Sequence, residues 1–317
     1  MSLNKEKITA VILFFTLMIS PIAVPFINSN QVQAAGLIPL DGLAEAEELL
    51  YGAAVENKSI LERVAALEKS IYQSKQSGSI VQRSERLIND LFKTTDKSPS
   101  LLFMYNTVEW AVSGQLKGGN LLDRIASLEK AVSGEINEGS LAARIKEIHQ
   151  LTISGKNIPV KAVQSQQNKL IRIELMEAIN SNTTNKGQKV PYRVVEDIEF
   201  SDILVIPAGT RGELQVTEIE EAGKMGQDGS IKIGFPKLTT IDGTPLEVAI
   251  EQEAQKENES QKLAIGASVL GTALLGLPGV VVGYFVEGEE EKIPAGSELY
   301  IQVTEEKEIK GLAVDVE

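Results

Sequence analysis

Apolar residues in the first half of the chain recur at a 4-3-4 spacing, and the windows that carry this spacing recur in turn. In one window they are Leu121, Ile125, Leu128 and Val132, in another Ile60, Val64, Leu67 and Ile71; each set forms a stripe on one face of an α-helix. Aligned, the windows give six copies of one helical unit between residue 38 and about residue 155, starting near Ile38 and at Ser59, Ser79, Ser100, Asn120 and Ser140, 20 or 21 residues apart. Ser and Asn accept hydrogen bonds from the free amides of a helix start. Gly52, Gly114, Gly134 and Gly155 stand where each helix should stop, because glycine tolerates the left-handed conformation of a C-cap. Each unit is thus predicted to be a helix of about 13 residues, marginal on its own in water. The expectation is an N-terminal array of short stacked helices, packed through Leu67, Leu87, Val108, Leu128 and Ile148, with a protein partner or self-association using its remaining faces.

Two charged positions repeat with the stripe. Arginine follows the cap by four residues at Arg63, Arg83, Arg124 and Arg144, and glutamate stands at the ninth position at Glu47, Glu68, Glu109 and Glu129. Five residues apart on one helix is about 140°, so the two cannot pair within a unit but can bridge neighbouring units. A solvated salt-bridge rim is the expectation; a repeated face for an anionic envelope polymer is the sharper alternative, which the acidic residues of the same units oppose. His149, the single histidine, takes the ninth position of the last unit. With no second ligand beside it, it reads as a surface residue rather than a metal or catalytic group.

Beyond residue 155 the period changes. Residues 156–186 are polar and read as a connector, with a helix expected around Ala162 to Ile179. From residue 187 short Val/Ile-rich runs alternate with turns such as PAGT, QDGS and DGTP, which predicts a small antiparallel β-barrel or sandwich and makes the chain α+β. A second duplication lies inside this domain: IPAGTRGELQVTE at Ile206 to Glu218 and IPAGSELYIQVTE at Ile293 to Glu305 agree at eight of thirteen positions. Pro207 and Pro294 preset one backbone angle, Gly209 and Gly296 supply a turn conformation closed to other residues, and a strand follows. The two read as equivalent corners of one pseudo-symmetric unit.

Leu263 to Val286 holds 24 residues without a charge, long enough to cross a bilayer. A single span would put the second corner across the membrane from the first, against the rule that duplicated strands share a sheet. The break at Leu277-Pro278-Gly279 points to a helix from about Leu263 to Gly276, a turn and a strand. That helix either plugs the barrel or enters a membrane interface; Leu263, Leu270, Leu274, Leu277 and Phe285 are the candidate membrane or partner contacts, and the charged flanks QEAQKENESQK and EGEEEK read as loops.

Composition narrows the functions. Residues 1–34 have a basic start, an apolar run and Val32-Gln33-Ala34 as a small-residue cleavage site, so a secretory leader is expected, with an uncleaved amino-terminal anchor as the alternative. The absence of cysteine removes disulfides and thiolate metal sites. A net charge of −13 argues against nucleic acid. No zinc motif, nucleophile elbow or phosphate loop is legible, Gly223, Gly226 and Gly229 reading as a turn. No cofactor and no catalysis are expected, although Asp197 and Asp202 could supply the paired carboxylates of a wall-polymer hydrolase.

LVIPAGT, a glycine-rich turn, KIGFPKLTTIDGTPLEV and an apolar insert follow one another in an order that resembles the carboxy-terminal barrel of the conjugation and type IV secretion scaffold family. Ile206 to Thr210 match its Ile-Pro-x-Gly turn and Ile241 to Thr244 its Pro-Asp-Gly hairpin, with Ile241 in place of the proline. The resemblance implies a barrel, a helical insertion that enters the outer membrane and a place in a secretion complex. The helical units look like short-helix repeats of other exported bacterial proteins of unassigned function. The reading is a non-catalytic scaffold or adaptor of the bacterial envelope, periplasmic or membrane-associated, with a secretion or conjugation component as the alternative.

Overall fold

The repeats fold into six helices: α1 (Leu40–Tyr51), α2 (Ile60–Tyr72), α3 (Ile80–Phe92), α4 (Leu101–Ser113), α5 (Leu121–Val132) and α6 (Leu141–Thr152). The computed structural model describes residues 37–153, 158–220, 230–265, 282–285 and 292–314. Ser59, Ser79, Ser100, Asn120 and Ser140 each accept a hydrogen bond from the third helical amide, and Ser59 with Glu62 and Ser79 with Gln82 complete capping boxes. Leu67, Leu87, Val108, Leu128 and Ile148 are buried in one cluster to which all six helices contribute. The arrangement differs from a stack in which each unit meets only its neighbours. Helix α1 touches α2, α3 and α5, α2 touches α6, and α4 touches α6. A closed bundle buries every stripe against a shared core, which units this short need.

The charged positions do bridge neighbours, but they are not a solvated rim. Arg63 grips Glu47, Arg83 grips Glu68 and Arg144 grips Glu129, each through Nε and Nη2 to the two carboxylate oxygens, and Arg124 reaches Glu109 in the same way. The glutamate side chains are at most 1% exposed. Three of them also accept an amide of the linker that follows their own helix: Val55 N to Glu47, Lys117 N to Glu109 and Asn137 N to Glu129. One fully engaged carboxylate therefore fixes the next helix and the loop leading to it. Between α3 and α4 both partners are replaced together, by Ile88 and Met104, which are apolar and half-buried. Loss of only one would strand a buried charge.

The remaining strands are β1 (Val160–Gln164), β2 (Leu170–Leu175), β3 (Ile179–Asn180), β4 (Lys189–Val194), β5 (Ile198–Phe200), β6 (Ile203–Ile206), β7 (Arg211–Glu220), β8 (Ser230–Gly234), β9 (Leu238–Thr239), β10 (Pro245–Leu246) and β11 (Val248–Ala249). Helix α7 (Gln252–Ile265) and strands β12 (Val282–Phe285), β13 (Lys292–Ile293), β14 (Glu298–Val303) and β15 (Glu308–Ala313) follow among the described residues. A seven-stranded antiparallel sheet in the order β11-β14-β2-β4-β7-β8-β12 and a four-stranded sheet β1-β15-β6-β5 enclose one core as a nearly closed barrel. Two expectations are corrected here. Residues 160–180 are not a connector with a helix: β2 alternates half-buried and buried residues and sits at the centre of the large sheet. Its sequence LIRIEL carries the period of a strand, which the polar residues around it obscure. Residues 252–262, expected as a charged loop, are helical, as their strong helix formers Gln, Glu, Ala and Lys favour.

The duplication extends further than the two corners. Central strands β2 and β4 pair with Ile173 opposite Val194 and Leu175 opposite Tyr192, and each is flanked by the strand leaving a corner, β14 or β7. Gly209 N donates to Val194 O and Val194 N to Thr210 O, both 2.8 Å; Gly296 N donates to Leu175 O at 2.7 Å and Leu175 N to Ser297 O at 2.9 Å. Asn168 N bonds Val303 O as Gly187 N bonds Val216 O. Residues 168–180 are thus the structural copy of 187–199, an offset of 19 residues. Inside the core one half uses Ile173 beside Leu299 where the other stands Tyr192 over Gly212, so volume is traded across the pair.

Two outcomes follow from the buried pairs. Glu129→Ala should cost about 1–3 kcal/mol by taking the carboxylate from half-buried Arg144, whereas Glu129→Ile with Arg144→Met, the solution seen at Ile88 and Met104, should recover most of that; urea denaturation followed by circular dichroism separates them. Burial alone would raise the carboxyl pKa of Glu47, but the Arg63 guanidinium and Val55 N–H outweigh it and hold the group below the ordinary range, while Arg63 is held above its own. The pair's contribution is complete above the unfolded carboxyl value of about 4.3 and disappears as pH falls through the lower folded value. Acid titration of the unfolding midpoint should therefore be shallower in Glu47→Gln than in the wild type; equal slopes would count against the assignment.

Candidate functional site

Helix α4 departs from the repeat, and the departure makes the junction with the barrel. Its sequence LLFMYNTVEWAVS buries residues on both sides. Leu101, Tyr105 and Val108 face the bundle core, while Phe103 joins a separate cluster with Leu204, Ile241 and Leu312 of the barrel. Bundle and barrel belong to one compact unit, residues 38–317. Asn106 connects the buried pairs to that junction: its carbonyl accepts from Arg124 Nη2 at 3.2 Å and its amide donates to Ile241 O at 3.1 Å. Arg124 also lies over the Tyr105 ring, 4.9 Å from its centroid. The Tyr105 hydroxyl donates to Glu109, and burial followed by that carboxylate pushes its pKa up.

The first corner is the other half of the junction. Pro207, Gly209 and Thr210 are buried because the linker after α4 sits on them. Leu116 N donates to Ala208 O at 2.7 Å, and a Cβ on Gly209 would stand 2.2 Å from Leu116 O. Gly118 likewise leaves room for the Arg211 guanidinium. Asp197, the residue offered above as half of a hydrolytic pair, is a latch here: Oδ1 accepts from Ala208 N at 2.6 Å and Oδ2 from Trp110 Nε1 at 2.9 Å. Asp202 is exposed in a left-handed turn, φ 61°. Asp197 thus has both oxygens occupied.

The second corner has the same backbone and no such cover among the described residues. Gly296 has φ 83° against 78° for Gly209, yet Pro294, Ala295 and Gly296 are exposed and a Cβ on Gly296 would meet no described atom within 4 Å. Sequence reasoning names Pro207, Gly209, Pro294 and Gly296 but misses that one corner is occupied and the other open. The apolar character of the fourth repeat is the signal that could have shown it.

Of the candidate membrane contacts, Leu270, Leu274 and Leu277 lie outside the described residues; Leu263 falls near the end of α7 and Phe285 ends β12. Helix α7 is fastened to β14: Gln302 Oε1 accepts from Glu253 N and Ala254 N, and the Asn258 amide bonds both N and O of Tyr300 as a neighbouring strand would. Strand β12 pairs with β8. No described helix is long and apolar enough to cross a membrane.

His149 is half-buried, with Nε2 enclosed and without a partner among the described residues. The described residues hold no cluster of three or more His, Asp or Glu that could take a metal. The glycine-rich turn at Gly223, Gly226 and Gly229 lies outside the described residues. A shallow polar groove runs between Ser77-Gly78 and α3, lined by Gln82, Glu85, Arg86, Asn89 and Asp90.

No protein-family model matches this sequence, and no curated protein does. Among solved structures, ComB10 of the Com type IV secretion system of Helicobacter pylori is 17% identical over 45% of this chain and 88% of its own, with a TM-score of 0.25. A likeness that slight carries no argument about this chain.

The pair of corners permits a controlled comparison. Gly209→Ala and Gly296→Ala both force alanine into the left-handed region, at about 1–3 kcal/mol each; only the first also drives a methyl into Leu116. Gly209→Ala should lose more stability and shift the emission of Trp110, the sole tryptophan, to the red, while Gly296→Ala leaves emission unchanged.

Proposed function

We propose that this chain is a non-catalytic scaffold of the bacterial envelope, exported by residues 1–34, which holds a partner at a fixed distance from a membrane. The observation that carries the reading is the two-sided burial of α4, which makes the bundle and the barrel one rigid body. A helix shared by two cores cannot hinge without exposing one of them, and each fully buried Phe or Leu side chain holds about 1.5–3 kcal/mol against that exposure. A fixed spacer suits assembly, whereas enzymes that close on substrate need a joint. The uncharged run 263–286 supplies the membrane-facing element. Its two ends, α7 fastened on β14 and β12 paired with β8, are rooted in the barrel wall, so a membrane contact made there would be transmitted to the whole body.

Vesicle flotation of the chain from Ala35 onward tests the reading. The wild type should float, and Leu270→Asp with Leu274→Asp should abolish flotation while circular dichroism and Trp110 emission stay unchanged. A wild type left at the bottom of the gradient overturns the membrane role.

A further inference from the structure

The intrachain junction has two components, a corner and a linker, and each has a duplicate that no described residue covers. The corner used is Ile206–Thr210 and its exposed copy is Ile293–Ser297. The linker used is GQLKGG at 114–119, and its copy is GEINEG at 134–139. Gly114 and Gly134 both have positive φ, 67° and 84°, and Lys117 N and Asn137 N both bond the ninth-position glutamate of the preceding helix. Leu116, half-buried against the first corner, therefore has Ile136 as its counterpart. Ile136 is 58% exposed.

We propose that the linker 134–139 of one copy docks on the Pro294–Ser297 corner of a second copy, so that the protein self-associates head to tail. The contact reproduces the intrachain one: Ile136 N donates to Ala295 O as Leu116 N does to Ala208 O, and the side-chain-free edge of Gly296 receives the linker carbonyl as Gly209 does. Three replacements make the copy weaker than the original. Ala178 stands where Asp197 latches the first corner, and Glu138 and Glu298 stand where Gly118 meets Arg211. The association is thus reversible, and screening of the two carboxylates strengthens it. Because linker and corner are two different patches of one chain, the contact is heterologous and propagates into rings or filaments. It does not depend on the membrane reading.

Sedimentation of the full chain, with the Ile136→Asp and Ala295→Glu variants, tests the proposal; both positions are exposed, so neither change touches a core. The wild type should show species above monomer that grow as salt rises from about 0.1 to 1 M, where the Debye length contracts from about 10 to 3 Å. Each variant alone should be monomeric. Mixed, the two variants should give a 1:1 dimer and nothing larger, since one keeps an intact corner and the other an intact linker. A monomeric wild type at every salt concentration overturns the proposal. So do variants as large as the wild type, the outcome expected if association runs through residues 263–286, and so does a mixture that forms no dimer.

Discussion

Each buried Arg–Glu pair does for this bundle what a long apolar interface does elsewhere. A helix of 12 or 13 residues has too little stripe to fix its own orientation, and the 20- or 21-residue period leaves short linkers to constrain it. The carboxylate resolves both problems at one atom group, holding the arginine of the next helix and, at Glu47, Glu109 and Glu129, an amide of the intervening linker. Desolvation makes such a pair a poor source of net stability but a strong source of specificity, since any other packing strands a charge. The concerted appearance of Ile88 and Met104 at the one gap fits this logic. The ends fit it too: Gly42 rather than arginine stands four residues into the first unit, and His149 replaces glutamate in the last.

That specificity is what allows one unit to be spent on another purpose. Helix α4 has given up a repeat arginine, at Met104, and gained Phe103, Asn106 and Trp110 toward the barrel. Its ninth-position Glu109 still holds Arg124, and Asn106 links that arginine to Ile241 O. The bundle is thereby continuous with the barrel through hydrogen bonds as well as through packed side chains. Asp197 shows how this misleads a reading by residue type. A carboxylate beside a turn resembles half of an acid-base pair, and only the geometry reveals both oxygens committed to Ala208 N and Trp110.

The helices, their caps and the two corners were legible because each rests on local chemistry: a 3.6-residue period, a side chain that caps, a proline followed two residues later by glycine. The closure of the bundle was not legible, because a stripe states which face is buried and not against which helix. The burial of the ion pairs was hidden for the same reason, as spacing reveals that Arg63 and Glu47 can meet but not that water is excluded. Strands β2 and β4 carry the duplication with only Glu177/Glu196 and Ile179/Ile198 identical among residues 170–180 and 189–199. Backbone pairing tolerates any residue that fits the pleat, so the copies drifted beyond recognition.

The corners kept their sequence for the opposite reason. In both, the turn must place a positive φ beside the central strand and return two hydrogen bonds to it, so Pro and Gly are required whether or not anything docks there. What distinguishes the occupied corner lies one step outward, where Asp197, Arg211 and Gly212 stand against Ala178, Glu298 and Leu299. Two of these three act on the junction directly, Asp197 by bonding Trp110 and Arg211 by lying against Gly118. The third, Gly212, admits Tyr192 to the core below. The pseudo-symmetric barrel is therefore symmetric where the backbone demands it and asymmetric where the helical bundle binds, and the asymmetry is what gives a duplicated fold a single orientation toward its own helices.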